Sequence, residues 1–230
     1  MYLRLDGYIF MNEFLLETHA HTSEVSPCAY LSAEETVSKY IVEDYNGLVV
    51  TNHLSENTFM KMPYASWREK TEYFLKGYRN AKHYAQDIIN IFLGVEISFP
   101  GDPNDYLVYG MDEDFLLNQS TILELGLNRF KITAEENNLL IFQAHPFRCG
   151  MRIAECKYLD GIEVYNGNSS HNSNNDIADY WAETNNLRKL SGSDFHCYFG
   201  MQPGGILLKE KIKTNAELVE VLRKGEYTLI

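Results

Sequence analysis

Five histidines and two carboxylates stand where short apolar runs turn polar. They are His19 and His21 in ETHAHTS, His53 in GLVVTNH, Glu96 in FLGVEIS, His145 in LLIFQAH, and Asp194 and His196 in LRKLSGSDFH. On a strand, residues i and i+2 point to one face, so His19 and His21 can reach one ion. Imidazole and carboxylate together suit zinc, manganese or iron. Glu96 has two oxygens and can bridge two ions. Such a site lowers the pKa of a bound water to make a hydroxide nucleophile, and it stabilises charge developing on phosphoryl oxygens. One histidine at a strand end is ordinarily a solvent-facing or hydrogen-bonded residue. Seven groups at the same end of successive strands are harder to explain that way, because scattered surface residues do not share an end. His83, mid-helix in NAKHYAQ, is the contrast and reads as a surface residue.

The elements that must position these groups alternate between strand and helix. FLLETHAHT is a strand ending at the first histidines, followed by a helix over 33–45 with Ser32 as N-cap and Glu35 completing a capping box. Gly47 is read as the stop of that helix, and 47–53 as the next strand. A helix over 66–87 precedes strands at 90–98 and 106–110. A helix over 120–137, with Gly126 inside it, leads to an apolar strand at 139–146 that stops at Pro146. Then come a strand at 160–166, a helix over 173–186, a strand at 187–196, GGILL, a helix near 215–224 and YTLI. Alternation of this kind predicts an α/β fold with a mainly parallel sheet and helical crossovers. About seven such units close naturally into a distorted (β/α)7 TIM-like barrel, whose functional groups gather at the C-terminal strand ends. No linker interrupts the pattern, so 1–230 reads as a single domain.

Composition narrows the functions. The chain has 230 residues, 45% of them hydrophobic and 13% aromatic, enough for one sizeable core. Its net charge of −12 disfavours long nucleic acids as partners; a phosphorylated ligand remains compatible if metal ions supply positive charge. Cys28, Cys149, Cys156 and Cys197 form no CxxC pair and read as free thiols. MYLRLDGYIFMNEF lacks the apolar run of a signal peptide, and no stretch of about 18 apolar residues occurs. The expectation is a cytoplasmic protein with no membrane partner. Oligomeric state is not legible.

With these residues assembled, the chain resembles the PHP (polymerase and histidinol phosphatase) family. THAHTSEVSP, VVTNHL, LGVEIS, FQAHP and SGSDFH match in that order across residues 18–196, and the stretches around YLVYG, EVYNGN and GGI are also similar. The resemblance implies a distorted (β/α)7 barrel, two or three divalent metals (Zn, Mn or Fe) and phosphoesterase activity. It implies that His19, His21, Glu96 and Asp194 hold one ion, with Glu96 bridging to a second held by His145, and that His53 and His196 hold a third. The chain departs from the family pattern in places. Many members have an aspartate where Asn52 stands, which removes a carboxylate that would orient His53. Some have a histidine where Met111 stands, for which His171 is a substitute candidate. Many carry an acidic or histidine ligand just beyond the HxH pair, where the candidates here are Glu24, Ser26 and Cys28.

Outside the ligand set, Arg148, the last residue of AHPFR, is a candidate phosphate clamp. His171, in GNSSHNSNN, is a candidate phosphate donor, general acid or metal ligand. Asn166 and Asn168 read as turn residues at the mouth. Arg152 and Lys157 are weaker phosphate candidates, the Tyr-rich helix 73–84 reads as a packing face, and Cys197 as an incidental small hydrophobe. The expected function is hydrolysis of a small phosphomonoester by a metal-activated hydroxide. The alternatives are hydrolysis of a phosphodiester or short oligonucleotide, and a metal-binding PHP domain without catalysis.

Overall fold

The computed structural model describes residues 13–199 and 202–230; the stretch 1–12, read above for a leader, lies outside them. In chain order the elements are β1 (Phe14–Ala20), α1 (Ala33–Val42), β2 (Gly47–Val50), β3 (His53–Leu54), α2 (Trp67–Ala85), β4 (Asn90–Ser98), β5 (Asp105–Tyr109), α3 (Glu113–Asn118), α4 (Gly126–Glu136), β6 (Leu140–Gln143), β7 (Gly161–Asn166), α5 (Asn175–Thr184), β8 (Arg188–Gly192), β9 (Ile206–Leu208), α6 (Asn215–Lys224) and β10 (Thr228–Leu229). The strands form one sheet in the order β10-β9-β1-β2-β4-β5-β6-β7-β8, with β3 paired to β4. The sheet curls into a nearly closed, TIM-like barrel. Its seam is stitched just past β8, where Phe195 bridges Ala20 in parallel and His21 N donates to Phe195 O at 3.0 Å.

The pairs β1–β2, β2–β4, β6–β7 and β7–β8 are parallel, as expected. β9 runs antiparallel to β1 and β10 at one edge, and β5 runs antiparallel to both β4 and β6. Only residues 99–104 join β4 to β5, too few for the crossover that a parallel neighbour needs. The direction of β5 decides which of its ends reaches the functional side of the barrel.

Other departures from the expected elements have local causes. α1 has its full Ser32–Glu35 capping box but ends at Val42 with Glu43 as C-cap, and Asp44 takes the left-handed turn (φ 60°). Gly47 therefore opens β2 instead of stopping the helix; a Cβ there would lie 2.7 Å from Leu16 Cδ1. The expected 47–53 strand breaks after Val50, because Thr51 turns its Oγ1 to accept from Ala20 N. The expected 120–137 helix begins only at Gly126, whose φ of 65° is outside helical geometry. Strand 139–146 stops at Gln143.

Strand alternation sorts the core. Phe14, Leu16, Phe92, Leu107, Phe142 and Leu190 form one buried cluster inside the barrel, continued by Leu218 and Leu222 of α6. The opposite faces, including Leu93, Val95, Tyr106 and Ile141, pack outward against the helices. Tyr73 and Tyr78 of α2 lie against this outer layer. α6 covers the end of the barrel away from the histidines, where Asn215 Nδ2 donates to Met111 O at 2.9 Å. Met111 is fully buried there. It stands at the wrong end of β5 to be a ligand, so the departure it represented has no bearing on the site.

Candidate metal centre

The centre begins with an irregularity in β1. The register of β1 against β2 slips between Glu17 and Ala20. A bulge of this kind re-aims the side chains beyond it. Phe14 and Leu16 point into the barrel, and after the slip His19 and His21 take over that face. The amides freed by the bulge are not left bare: Glu17 Oε1 accepts from Thr18 N and His19 N, both at 2.9 Å. The same oxygen accepts from Ser193 N at 3.0 Å, and Oε2 from Tyr40 Oη at 2.9 Å. Glu17 thereby ties the end of β1 to the end of β8. Burial pushes its carboxyl above the usual range even against these donors.

Each ring of the HxH pair is oriented from behind. His19 Nδ1 lies 2.8 Å from Glu163 Oε1, which leaves Nε2 as the atom offered to the centre. His21 Nδ1 lies 3.2 Å from Ser26 Oγ, whose own proton goes to Asn52 Oδ1 at 2.9 Å. The ring nitrogen must therefore donate, and Nε2 again faces inward. Asn52 thus acts through Ser26 and not on the His53 ring; Ser26 Oγ also accepts from His53 N.

Three groups of ligand atoms result, each within 4.8 Å: His19, His21 and Asp194; Glu96, Asp105 and His145; and His21, His53 and His196. His19 Nε2 and His21 Nε2 are 3.1 Å apart, and each lies 3.3–3.5 Å from Glu96 Oε2 and Asp194 Oδ1. Glu96 Oε1 lies 3.2 Å from His145 Nε2, and Glu96 Oε2 lies 2.9 Å from His53 Nδ1. All seven residues of the expected set converge. His145 (φ 29°) and Asp194 (φ 52°) hold left-handed backbone conformations that are costly for non-glycine residues.

The donor set fits divalent cations on one observation above all. Glu96 is fully buried, yet neither carboxylate oxygen accepts a hydrogen bond, and His145 Nδ1 is also unpartnered. A buried charge left so is expensive unless a counter-ion completes it. Burial opposes the charge on Glu96 and Asp194, but the neighbouring histidines, His53 and His19 for Glu96 and first His19 for Asp194, hold both well below the usual carboxylate range. Burial likewise opposes charge on His19 and His53. Glu163, Asp194 and Glu96 overrule it at His19, and Glu96 at His53, so both sit well above the usual histidine value. His21, buried beside His196 and His53, is pushed well below it.

A pocket of about 440 Å³ opens over the centre, lined among others by Cys28, Arg148, Asn168, His171 and Phe199. Arg148 reaches it from the turn after β6, its Nη2 3.7 Å from Asp105 Oδ2. His171 is held through Nδ1, 3.1 Å from Ser173 Oγ, while Nε2 has no hydrogen bond and lies 3.5 Å from Asp194 Oδ2. Asn166 Nδ2 and Asn168 Nδ2 donate to that same Asp194 oxygen at 3.2 and 3.3 Å. They position Asp194, which is more than the turn role expected of them.

Of the three residues weighed beyond the HxH pair, Glu24 turns away and accepts from Ala33 N at the start of α1. Ser26 sits behind His21. Cys28 is the one at the centre, its Sγ 3.1 Å from His196 Nε2. Burial raises its thiol pKa, and the two histidines, His196 first, bring it down to about 6. Arg152 and Lys157 remain on the surface, Lys157 paired with Glu155.

No family model and no curated protein matches the chain in sequence. Solved structures do match in shape. A two-domain protein from Bacteroides vulgatus, described as containing a predicted PHP-like metal-dependent phosphoesterase, superposes with a TM-score of 0.70 at 15% identity, over 95% of this chain and 65% of that one. This chain therefore spans about two thirds of that relative. PsfC from Pseudomonas syringae gives 0.65 at 17% identity, over 94% and 95%. An amidohydrolase from Chromobacterium violaceum, solved with bound sulfate and no metal, gives 0.54 at 14% identity, over 90% and 96%.

The chain shares the barrel fold of these structures. On that fold, three residues of the centre escaped the sequence reading. Asp105 arrives because β5 runs backwards and presents its first residue, not its last, to the site. Glu17 and Glu163 orient His19, one through its amide and one through its ring. Their signal was present: each is an acid inside an apolar strand, FLLETHA and GIEVYN, and a carboxylate there needs partners. No described helix is long and apolar enough to cross a membrane.

Proposed function

We propose that this chain is a metal-dependent phosphoesterase that hydrolyses small phosphomonoesters. The Glu96 carboxylate carries the reading: it is buried, without a hydrogen bond on either oxygen, and approached by nitrogens of four histidines at 2.9–3.5 Å. Two or three divalent ions, zinc, manganese or iron, would be held by the three groups of ligands around it. Bound there, they supply positive charge for phosphoryl oxygens and acidify a water for attack on phosphorus.

The chain's own side chains do the rest. Arg148 offers a guanidinium to the phosphoryl oxygens at the pocket mouth, and its fork suits two of them at once. His171 lines the pocket with Nε2 free of any hydrogen bond, 3.5 Å from Asp194 Oδ2, and a small turn of the ring lets it give a proton to the leaving oxygen as its bond to phosphorus breaks. Asn166 and Asn168 hold Asp194 in place for its ion. The net charge of −12 keeps long nucleic acids away. Four free cysteines suit a reducing compartment such as the cytoplasm.

The Chromobacterium violaceum neighbour, an amidohydrolase with sulfate, supports a hydrolase accommodating a tetrahedral anion. The test is a panel of phosphomonoesters, a dinucleotide, bis(p-nitrophenyl) phosphate and simple amides, assayed with Mn²⁺, Zn²⁺ or Fe²⁺. Phosphate release from monoesters, abolished by His19→Ala, is the expected result. Cleavage confined to diesters or to amides, or no turnover with any ion, would overturn it.

A further inference from the structure

We propose that Cys28 is a metal ligand. With His53 and His196 it would form a His₂Cys site at the pocket mouth that selects thiophilic ions, zinc above all, over manganese and magnesium. The inference rests on the metal-dependent reading above and assigns the outermost ion a ligand set and a preference.

The two imidazoles are prepared for this. His196 Nδ1 donates to the carbonyl of Asp194 at 2.8 Å, and His53 Nδ1 is turned to Glu96 Oε2 at 2.9 Å. A ligating histidine characteristically commits its other nitrogen to a carbonyl or carboxylate in this way. At His196 that commitment leaves Nε2 to face Cys28, while the Glu96 oxygen beside His53 Nδ1 accepts no hydrogen bond. Cys28 Sγ meets His196 Nε2 at 3.1 Å and lines the same pocket as His53.

The thiol is held there by backbone that is pinned on both sides. Ser26 N donates to Thr22 O, Ala29 N to Ser26 O, and Ser23 N to Leu31 O. Tyr30 N donates to the carbonyl of His196 itself at 2.9 Å, so the cysteine turn and the histidine move as one unit. The cysteine is not an isolated thiol. The neighbouring triad of His21, His53 and His196 already brings three ligand atoms together, and the buried, unpartnered Glu96 Oε2 points at the same His53.

Chemistry then separates this site from its neighbours. The inner two groups contain only imidazole and carboxylate, a donor set that accepts manganese along with iron and zinc. A thiolate is soft, and a mixed imidazole–thiolate set favours zinc, with cobalt as a spectroscopic substitute. The expected behaviour is a chain that carries one ion chemically unlike the others.

The experiment loads the full chain with Co²⁺ after chelation and records near-ultraviolet absorption, with metal counted per chain by mass spectrometry. The wild type should show thiolate-to-cobalt charge transfer. Cys28→Ser should lose that band and one ion. Cys197→Ser, on the same rim, should keep both, and Cys28→Asp should recover the ion without the band. The same ion should shield one of the four thiols from iodoacetamide in the wild type and none in Cys28→Ser. Retention of two or three cobalt ions with no sulfur band, or a band lost in Cys197→Ser and kept in Cys28→Ser, would overturn the assignment and leave the metal-dependent reading standing. A chain that binds no ion at all would overturn both.

Discussion

The floor and the mouth of the site are built differently. On the floor, His19, His21, Glu96 and Asp194 are at most 2% exposed, and each histidine is fixed from behind by a partner. Glu163 holds His19, and Ser26 under Asn52 holds His21. At the mouth, His53, His171 and His196 are only half-buried, and Cys28 and Arg148 face the pocket. The floor keeps charge in place at a desolvation cost that cations offset. The mouth trades that rigidity for access.

The largest effect should come from breaking the floor. Glu96→Gln removes the carboxylate whose oxygens face His145 on one side and His19, His21 and His53 on the other, so activity should fall on the order of 10³-fold, and metal analysis should find the inner ions gone. Its metal-free form should unfold earlier than metal-free wild type near neutral pH, because His53 and His19 lose the carboxylate that holds their charge. The gain in Tm on adding metal should vanish as well.

Removing support from behind should cost less. Glu163→Gln leaves every ligand present but loosens His19, so metal affinity should drop about 10–100-fold with the fold intact. Equilibrium dialysis measures this directly. An unchanged affinity would mean that the floor is not oriented as described.

The pH dependence sharpens the same contrast. His19 and His53 sit above their unfolded value in the metal-free chain, so they stabilise it below the usual histidine pKa. That contribution is lost as pH rises through their folded values. Glu96 and Asp194 are depressed, so their contribution holds above the usual carboxylate pKa and is lost only as pH falls through their lowered values. Metal must displace the histidine protons, so affinity should rise with pH. Calorimetry in buffers of different ionisation enthalpy should report proton release on binding.

At the mouth the effects should be smallest. Arg148→Lys keeps the charge but loses the fork, and should raise KM for a phosphomonoester about tenfold while kcat and metal content hold. A fall in kcat alone would assign the arginine to the chemical step instead of to binding.

The seven convergent residues were legible because each lies at or near the end of an apolar run, a pattern that the barrel turns into one ring of side chains. The order of the elements was legible for the same reason, from their periodicity. What escaped depends on facts that periodicity does not carry. A six-residue connection reversed β5, so Asp105 faced the site and Met111 the opposite end. A one-residue slip in β1 put His19 and His21 on the inward face and called for Glu17 behind them. Choosing among Glu24, Ser26 and Cys28 needed the path of the loop, which sends Glu24 to the start of α1.

The central claim is that the buried ring around Glu96 exists to hold divalent cations for hydrolysis. Metal counting by mass spectrometry on the purified chain, paired with phosphomonoester turnover before and after chelation, tests it most directly. The account predicts at least two tightly held first-row ions per chain, and activity that disappears with them and returns on their addition. A folded, metal-free chain that turns over phosphomonoesters undiminished would contradict it.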